Sequence, residues 1–238
     1  AGIQPLEESY KDTGMAGHYR GGAMAALFPD GALWLAECAQ DQEKKPSDNP
    51  DYRTFAEKAI QIMDYCNEDV FGIPQTQAME NFANGKAAMM IYGSYGRGTF
   101  LVANPDLNLG VFPIPGLTKD SGLVYAGVDA CFCVSGKATS EEQDAGLKWI
   151  EFLSRPENAQ KWSTTEGAPS AIDGVQYGSE GSLPMLNRIK EGKVREWKAY
   201  YDSRFSDTEA FQGLLMDRDV DKFLKNADEV WANAHVSG

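Results

Sequence analysis

Phe82-Ala-Asn-Gly-Lys-Ala-Ala-Met-Met-Ile-Tyr-Gly-Ser-Tyr95, followed by Gly110-Val-Phe-Pro-Ile-Pro115, is the stretch on which the reading of this chain turns. Phe82 closes an apolar-periodic helix, Gly85 supplies the left-handed stop that helix C-termini favour, and Ala87 to Tyr92 reads as a short buried strand. Gly93 then turns the chain and presents Tyr95 directly after the strand end. With Gly93, Gly96 and Gly98 around it, that ring is expected to have little side-chain cover and to offer a ligand-stacking platform. Residues 107–115 read as another strand, and the spaced Pro113 and Pro115 prevent its continuation as helix or central sheet.

Outward from this stretch, Gly2 to Leu6 reads as a short strand, and residues 17–40 as helix interrupted at Pro29, Asp30 and Gly31. The polar run 41–50 reads as an exposed loop. Tyr52, Phe55, Ala56, Ala59, Met63 and Cys66 follow the spacing of one amphipathic helix, and Thr76 is placed to cap the next. Beyond the prolines, Ala130 to Val134 reads as a strand. Ser140-Glu-Glu-Gln143 and Ser154-Arg-Pro-Glu157 both match the capping box, the second with Pro156 in its first turn, and Gly167 ends that helix. A Gly, Ser and Pro-rich loop runs on to about Gly181. Val220, Phe223, Leu224, Ala227, Trp231 and Ala234 mark one face of a last helix, with Asp217 and Asp219 near its positive end. Short strands scattered among longer helices give an α/β fold class.

The 238 residues, 42 % of them hydrophobic and 11 % aromatic, suffice for one large core or two small ones, which excludes disorder as the default state. A net charge of −13 argues against nucleic acid and anionic membrane, since a phosphate backbone is bound through clustered Lys and Arg. No apolar run reaches the roughly 18 to 20 residues of a membrane helix. The chain opens without a charged-then-apolar leader, so any targeting segment is expected to lie outside it.

Chemistry-bearing patterns are sparse. The four cysteines, Cys38, Cys66, Cys131 and Cys133, fit neither a dense disulfide framework nor a zinc pattern. Cys131 and Cys133 share one strand face and read as reduced packing residues; a Cys38–Cys66 bridge is left open. His18 and His235 are far apart and lack ligand-like neighbours, so neither a metal nor another cofactor is expected. Gly93-Ser-Tyr-Gly96-Arg-Gly98 has the spacing G-x-x-G-x-G, neither a dinucleotide fingerprint nor a phosphate loop. The 35 acidic residues create many chance carboxylate pairs, and none stands out as a glycosidase pair. Aromatics say more, because sugars present apolar C–H faces that stack on Tyr or Trp while their hydroxyls need polar partners. Tyr95, Tyr125, Tyr200, Tyr201 and Phe205 lie near element ends, beside polar residues such as Asp129, Asp202 and Arg204. For most of them core packing is the simpler reading, and Tyr95 is the exception.

These residues resemble the extracellular solute-binding proteins of ABC importers, in the sugar-binding group that includes maltose-binding protein. Phe82-Ala-Asn-Gly-Lys-Ala-Ala-Met89 is similar to the family's F-x-x-G-K-A-A-M signature, with Gly93-Ser-Tyr95 in place of its usual Gly-x-Trp. Gly110 to Pro115 is similar to its P-x-P crossover, Ala126-Gly-Val-Asp129 to its glycine-rich return strand, and Ala145 to Pro169 to its paired helices ending in Gly-x-Pro. The resemblance implies a periplasmic-binding-protein-like fold in which no covalent chemistry occurs. A carbohydrate, an oligosaccharide, is captured between lobes and handed to the transmembrane subunits of an ABC permease, outside the cell or in the periplasm, and a lipoprotein anchor on the intact protein and a freely periplasmic form both stay open. It implies that Tyr95 stacks on the sugar, with Ser94, Gly127, Asp129, Lys11, Asp12, Tyr201 and Arg204 lining the cleft. Nothing like the family's first lobe precedes Gly2, so the resemblance also implies a C-terminal portion of a longer chain. Residues 1–125 would then be the second-lobe core, 126–170 a segment belonging to the first lobe, and 171–238 a return to the second. The apolar faces of 128–170, with Trp149, Ile150 and Leu153, are expected to dock on the remaining lobe or to be covered by self-association. Two other classes stay open: a secreted carbohydrate-active enzyme of glycosidase type, and a non-catalytic interaction module.

Overall fold

A computed structural model describes residues 2–118, 121–127, 131–177, 183–196 and 206–236. Asp129, Ala130, Tyr200, Tyr201, Asp202, Arg204 and Phe205 lie outside the described residues, as does the side chain of Ala234. The fold is α/β and helix-rich, built around two parallel two-stranded sheets. In the first, β1 (Gln4–Leu6) pairs with β2 (Ala87–Met89), Gln4 opposite Ala87 and Leu6 opposite Met89. In the second, β3 (Val124–Ala126) pairs with β4 (Val194–Glu196).

Helix α1 (Thr13–Leu27) starts on Asp12, whose Oδ1 accepts the Gly14 amide at 2.6 Å. Pro29 and Asp30 separate it from α2 (Gly31–Gln40) as expected. The amphipathic run beginning at Tyr52 forms α3 (Pro50–Ala59), with Asn49 capping and Pro50 in the first turn, and tightens into a 3-10 turn over Ile60–Asp64. Buried Tyr52, Phe55, Ala56 and Ala59 meet Phe211, Leu214 and Leu215 of α9 (Thr208–Asp217) and Phe223, Leu224, Ala227 and Trp231 of α10 (Val220–Val236). Tyr10, Tyr19, Met24 and Phe28 complete this core, which therefore joins the two ends of the chain. A smaller cluster, Met79, Phe82, Ala83 and Phe100, sits between α4 (Gln75–Ala83) and α5 (Arg97–Ala103).

Several expectations are corrected. The strand after Gly85 ends at Met89, and Ala88 and Met89 are exposed, because β1 is the partner of β2 and one face of a two-stranded sheet is left open. Residues 107–115 form no strand, since Pro113 and Pro115 offer no amide to a ladder. Residues 131–134 form none either, and Cys131 and Cys133 are exposed rather than packed, their Sγ atoms 3.8 Å apart. The Cys38–Cys66 bridge left open by the sequence does not form, and both residues keep their thiols. The run 41–50 is not simply exposed loop: Pro46 is buried in a 3-10 turn, and its carbonyl accepts the Trp34 indole N–H.

Cap positions also shift. Helix α4 opens at Pro74 rather than Thr76. The capping box of α6 (Ser140–Leu153) is Thr139 with Glu142. Ser154 caps no following helix, because its hydroxyl donates to the Ile150 carbonyl and closes α6; α7 (Pro156–Glu166) begins after Arg155. Both predicted glycine stops hold, with φ of +75° at Gly85 and +66° at Gly167. Helix α6 contributes no buried residue, and Leu147 and Trp149 remain 57 % and 54 % exposed, so this face does not dock on the core. Among the described residues no helix is long and apolar enough to cross a membrane.

Candidate functional site

Because β1 and β2 are parallel, both strands leave the first sheet at the same end, and the carboxyl end of a parallel pair is where open α/β folds place ligands. From β1 the chain runs through Glu7 to Asp12 into α1. From β2 it runs through Met90 to Gly93 into the 3-10 turn Ser94–Gly96 and then α5. The two exits are tied together by main chain and side chain: the Glu7 amide donates to the Met89 carbonyl at 3.0 Å, and the Glu8 carboxyl accepts the Ile91 amide at 2.5 Å.

On the second exit stands an aromatic wall. Tyr95 is half-buried, its ring 5.2 Å from that of Tyr92 at 61° and 6.4 Å from that of His18 on α1. Tyr92 is anchored from behind, edge-on to Phe100 at 5.9 Å, and its hydroxyl accepts the Gln75 amide group at 2.5 Å. The glycines serve this packing. A Cβ on Gly93 would stand 2.0 Å from the Tyr95 ring and one on Gly96 2.4 Å from the Tyr92 ring, so each glycine lies under a tyrosine instead of leaving Tyr95 bare.

One face of α1, exposed at His18 and covered at Gly21, runs past this wall. His18, Gly21 and Gly22 share it at spacings of three and four residues. A Cβ at Gly21 would lie 2.5 Å from the Tyr125 ring, and Ile114 approaches Gly22. Tyr125 belongs to β3, two residues before exposed Gly127, so an aromatic of the second sheet and the aromatics beyond the end of β2 meet the same helix. A pocket of about 360 Å³ formed by Pro113, Pro115, Leu117, Ser121 and Arg188 touches this face through Ile114.

The remaining nominated residues divide. Lys11 and Asp12 are exposed at the start of α1, where Asp12 is engaged as the cap and the Lys11 carbonyl receives a long bond from Gln212. Ser94 lies beside Tyr177, whose phenol pKa is raised by burial and drawn back by Ser94 and Arg97. His18 was missed. Its signal was present in the small residues three and four positions further on, which let other elements come close to that stripe of the helix.

Two buried groups shape the electrostatics. Burial pushes the Glu8 carboxyl up to about 8, against the Ile91 amide and the Tyr10 hydroxyl, which lower it. Its own amide donates to the Asn67 Oδ1 at 2.7 Å. Tyr19, behind His18 on α1, donates to the Ala59 carbonyl at 2.9 Å and is raised well above its ordinary pKa by burial. Among the described residues no group of three or more His, Cys, Asp or Glu could hold a metal ion. Aromatic faces beside peptide and hydroxyl groups, with no cluster of reactive side chains among them, suit stacking and hydrogen bonding of a polar, ring-shaped solute.

Comparison with known proteins places the chain in a family. A family profile described as bacterial extracellular solute-binding protein matches residues 8–182. The multiple sugar-binding protein of Streptococcus mutans serotype c is 26 % identical over 118 residues, which are 50 % of this chain and 28 % of that protein. Among solved structures, apo RafE from Streptococcus pneumoniae superimposes with a TM-score of 0.72 at 20 % identity, covering 98 % of this chain and 60 % of that one. A chitin oligosaccharide binding protein gives 0.76 at 17 % identity, covering 98 % and 61 %. The chain thus spans about 60 % of the length of these solved structures.

Proposed function

Because the chain belongs to the bacterial extracellular solute-binding proteins, we propose that it captures a carbohydrate, an oligosaccharide, against the wall formed by Tyr95, Tyr92 and His18. The observation that carries this reading is the edge-on Tyr92–Tyr95 pair at the carboxyl end of the β1–β2 sheet. Tyr95 offers a ring face for the apolar side of a sugar, and its hydroxyl adds a polar contact that a tryptophan lacks. We assign Lys11, Asp12, Ser94, Gly127, Asp129, Tyr201 and Arg204 to the same cleft. RafE has been solved in complex with raffinose and a Bifidobacterium animalis binding protein with mannobiose, which supports a sugar as the ligand.

In this reading the ligand is held by stacking and hydrogen bonds without covalent change. Closure of two lobes then presents the loaded protein to the transmembrane subunits of an ABC permease. We place residues 1–125 and 171–238 in one lobe and 126–170 with the other. The main core draws its buried side chains from residues 10–70 and 211–231, whereas the exposed apolar face of α6 has no cover from that core. The protein works outside the cell or in the periplasm.

A thermal-shift series with raffinose, mannobiose and chitin oligosaccharides tests the reading, since a ligand that binds only the native state raises the midpoint. The expected result is a rise with one sugar class that disappears in Tyr95→Ala. Released product would move the assignment to a carbohydrate-active enzyme, and no rise with any sugar would move it to another solute.

A further inference from the structure

The two segments that leave the first sheet are joined by one buried side chain. Glu8 is fully buried; its amide is bound to Asn67 Oδ1 at 2.7 Å and its Oε1 receives the Ile91 amide at 2.5 Å. Ile91 directly precedes Tyr92, and Tyr95 is three residues beyond. Between Met89 and Ser94 the chain belongs to no strand or helix, so this bond is a main restraint on where the wall begins. Oε2 is buried with no hydrogen-bond partner of good geometry, and the neighbouring Tyr10 hydroxyl is in the same state. A buried oxygen without a partner is costly, and a carboxylate there far more so.

We propose that Glu8 is a positioning residue that couples the two strand exits and holds the Tyr92–Tyr95 wall in place while its carboxyl keeps its proton. A proton on Oε2 gives the Glu8–Tyr10 pair a donor to share, leaving Oε1 for Ile91. Removing it leaves a charge that faces no cation among the described residues. Glu7 and Tyr10 from its own segment act on it, and its charge in turn acts on Tyr10, on Tyr19 of α1 and on Cys66 after the Ile60–Asp64 turn. Arg218 acts on Cys66, but its guanidinium is paired with Asp64 at 2.6 Å on the surface. The buried charge can be hydrated only if the two exits part, and the irregular segment 90–93 is the side with least to hold it. Burial that raises the carboxyl to about 8 places this loosening just above neutral pH.

The consequence for ligand capture rests on the reading of Tyr95 as the platform, so the test has two arms. Hydrogen exchange of the 90–96 segment, corrected for intrinsic rate, is followed from pH 6 to 9.5 in the wild type, Glu8→Gln and Tyr10→Phe. Raffinose binding is titrated calorimetrically over the same range. Wild-type protection is expected to fall about tenfold across pH 7 to 9, which equals about 1.4 kcal/mol. Glu8→Gln, which keeps an acceptor for Ile91 and a donor for Tyr10, should stay protected throughout. Tyr10→Phe, lacking the hydroxyl that favours ionisation, should move the change to higher pH. Constant protection in the wild type overturns the proposal, whatever the variants do, and so does an equal loss in Glu8→Gln. Loss of protection with raffinose binding unchanged overturns the role in capture; loss of protection with no raffinose binding at any pH upholds the positioning role and sinks raffinose as the ligand.

Discussion

Arg20 and Asp207, 187 residues apart in sequence, form a side-on ion pair inside the core, with Nε 2.5 Å from Oδ1 and Nη2 2.7 Å from Oδ2. The Tyr52 hydroxyl donates to the same Oδ2 at 2.7 Å. Asp207 directly precedes α9, so the pair pins α1, and with it His18, to the C-terminal part of the chain. Removing one partner strands the other charge in a dry site. Asp207→Ala should therefore lower unfolding stability by about 3 to 5 kcal/mol, and adding Arg20→Met should restore much of the loss. Urea denaturation of the single and double variants measures both; a loss under about 1 kcal/mol in the single variant would mean that water already reaches the pair.

What the sequence revealed and what it concealed follow from the range of the interactions. The face of α3 as far as Ala59, that of α10 as far as Trp231 and the glycine stops at 85 and 167 are written in local spacing and stand where it puts them, whereas Met63 and Cys66, expected on the same helix as Tyr52, lie beyond its end because the chain tightens into a 3-10 turn at Ile60. Caps slipped because neighbouring hydroxyls compete: Thr139 rather than Ser140 reaches the third amide, and Ser154 turns back to Ile150. Alternation put Cys131 and Cys133 on one side of an extended segment, but alternation says nothing of what covers that side. The candidate site was half legible. Gly93 and Gly96 advertised an unusual aromatic turn, whereas the approach of His18 depends on how α1 lies across the strand ends, which no local pattern encodes.

Burial raises the Cys38 and Cys66 thiols to about 12, while Cys131 and Cys133 are exposed, with Cys133 raised by its neighbour. Since the thiolate is the reactive form, an aromatic disulfide reagent at pH 8 should release two equivalents quickly and two only on unfolding. Four slow thiols would show that residues 131–133 are covered in solution.

Gly21 lies against Tyr125, and even one methyl group there would press on the ring at 2.5 Å. Gly21→Ala should cost about 1 to 3 kcal/mol as α1 and β3 are forced apart. The additional variant Tyr125→Ala, which removes the ring, should recover part of that loss. Circular-dichroism melts of the two variants decide it; equal stability of wild type and Gly21→Ala would mean that Tyr125 moves aside freely.

Glu8 gives stability a pH dependence of defined sign. Its folded pKa, about 8, stands above the ordinary 4.5, so the native state holds this proton more tightly than the unfolded chain. The contribution is fully present below about pH 4.5, declines as pH rises and is lost above about pH 8, a span on the order of 5 kcal/mol. Glu8→Gln cannot ionise. Its midpoint minus that of the wild type should grow steadily from pH 5 to 9, and a constant difference would assign the group an ordinary pKa.

If the aromatic wall takes the ring of a sugar, its three members should contribute unequally. Tyr95 is the outer ring, half-buried against Tyr92, whereas Tyr92 is fixed by Gln75 and Phe100 and serves as its backing. Tyr95→Ala should weaken oligosaccharide binding by at least about tenfold, with little change in stability because the removed ring faces outward. Tyr95→Phe keeps the face and loses the hydroxyl, so it should retain most of the affinity. His18→Ala should fall between the two, since its ring is 6.4 Å away and flanks rather than supports the platform. Calorimetric titration of the four proteins reads this order directly. If His18→Ala exceeds Tyr95→Ala, the ligand sits over α1, and the centre of the site moves from the strand exit to the helix face.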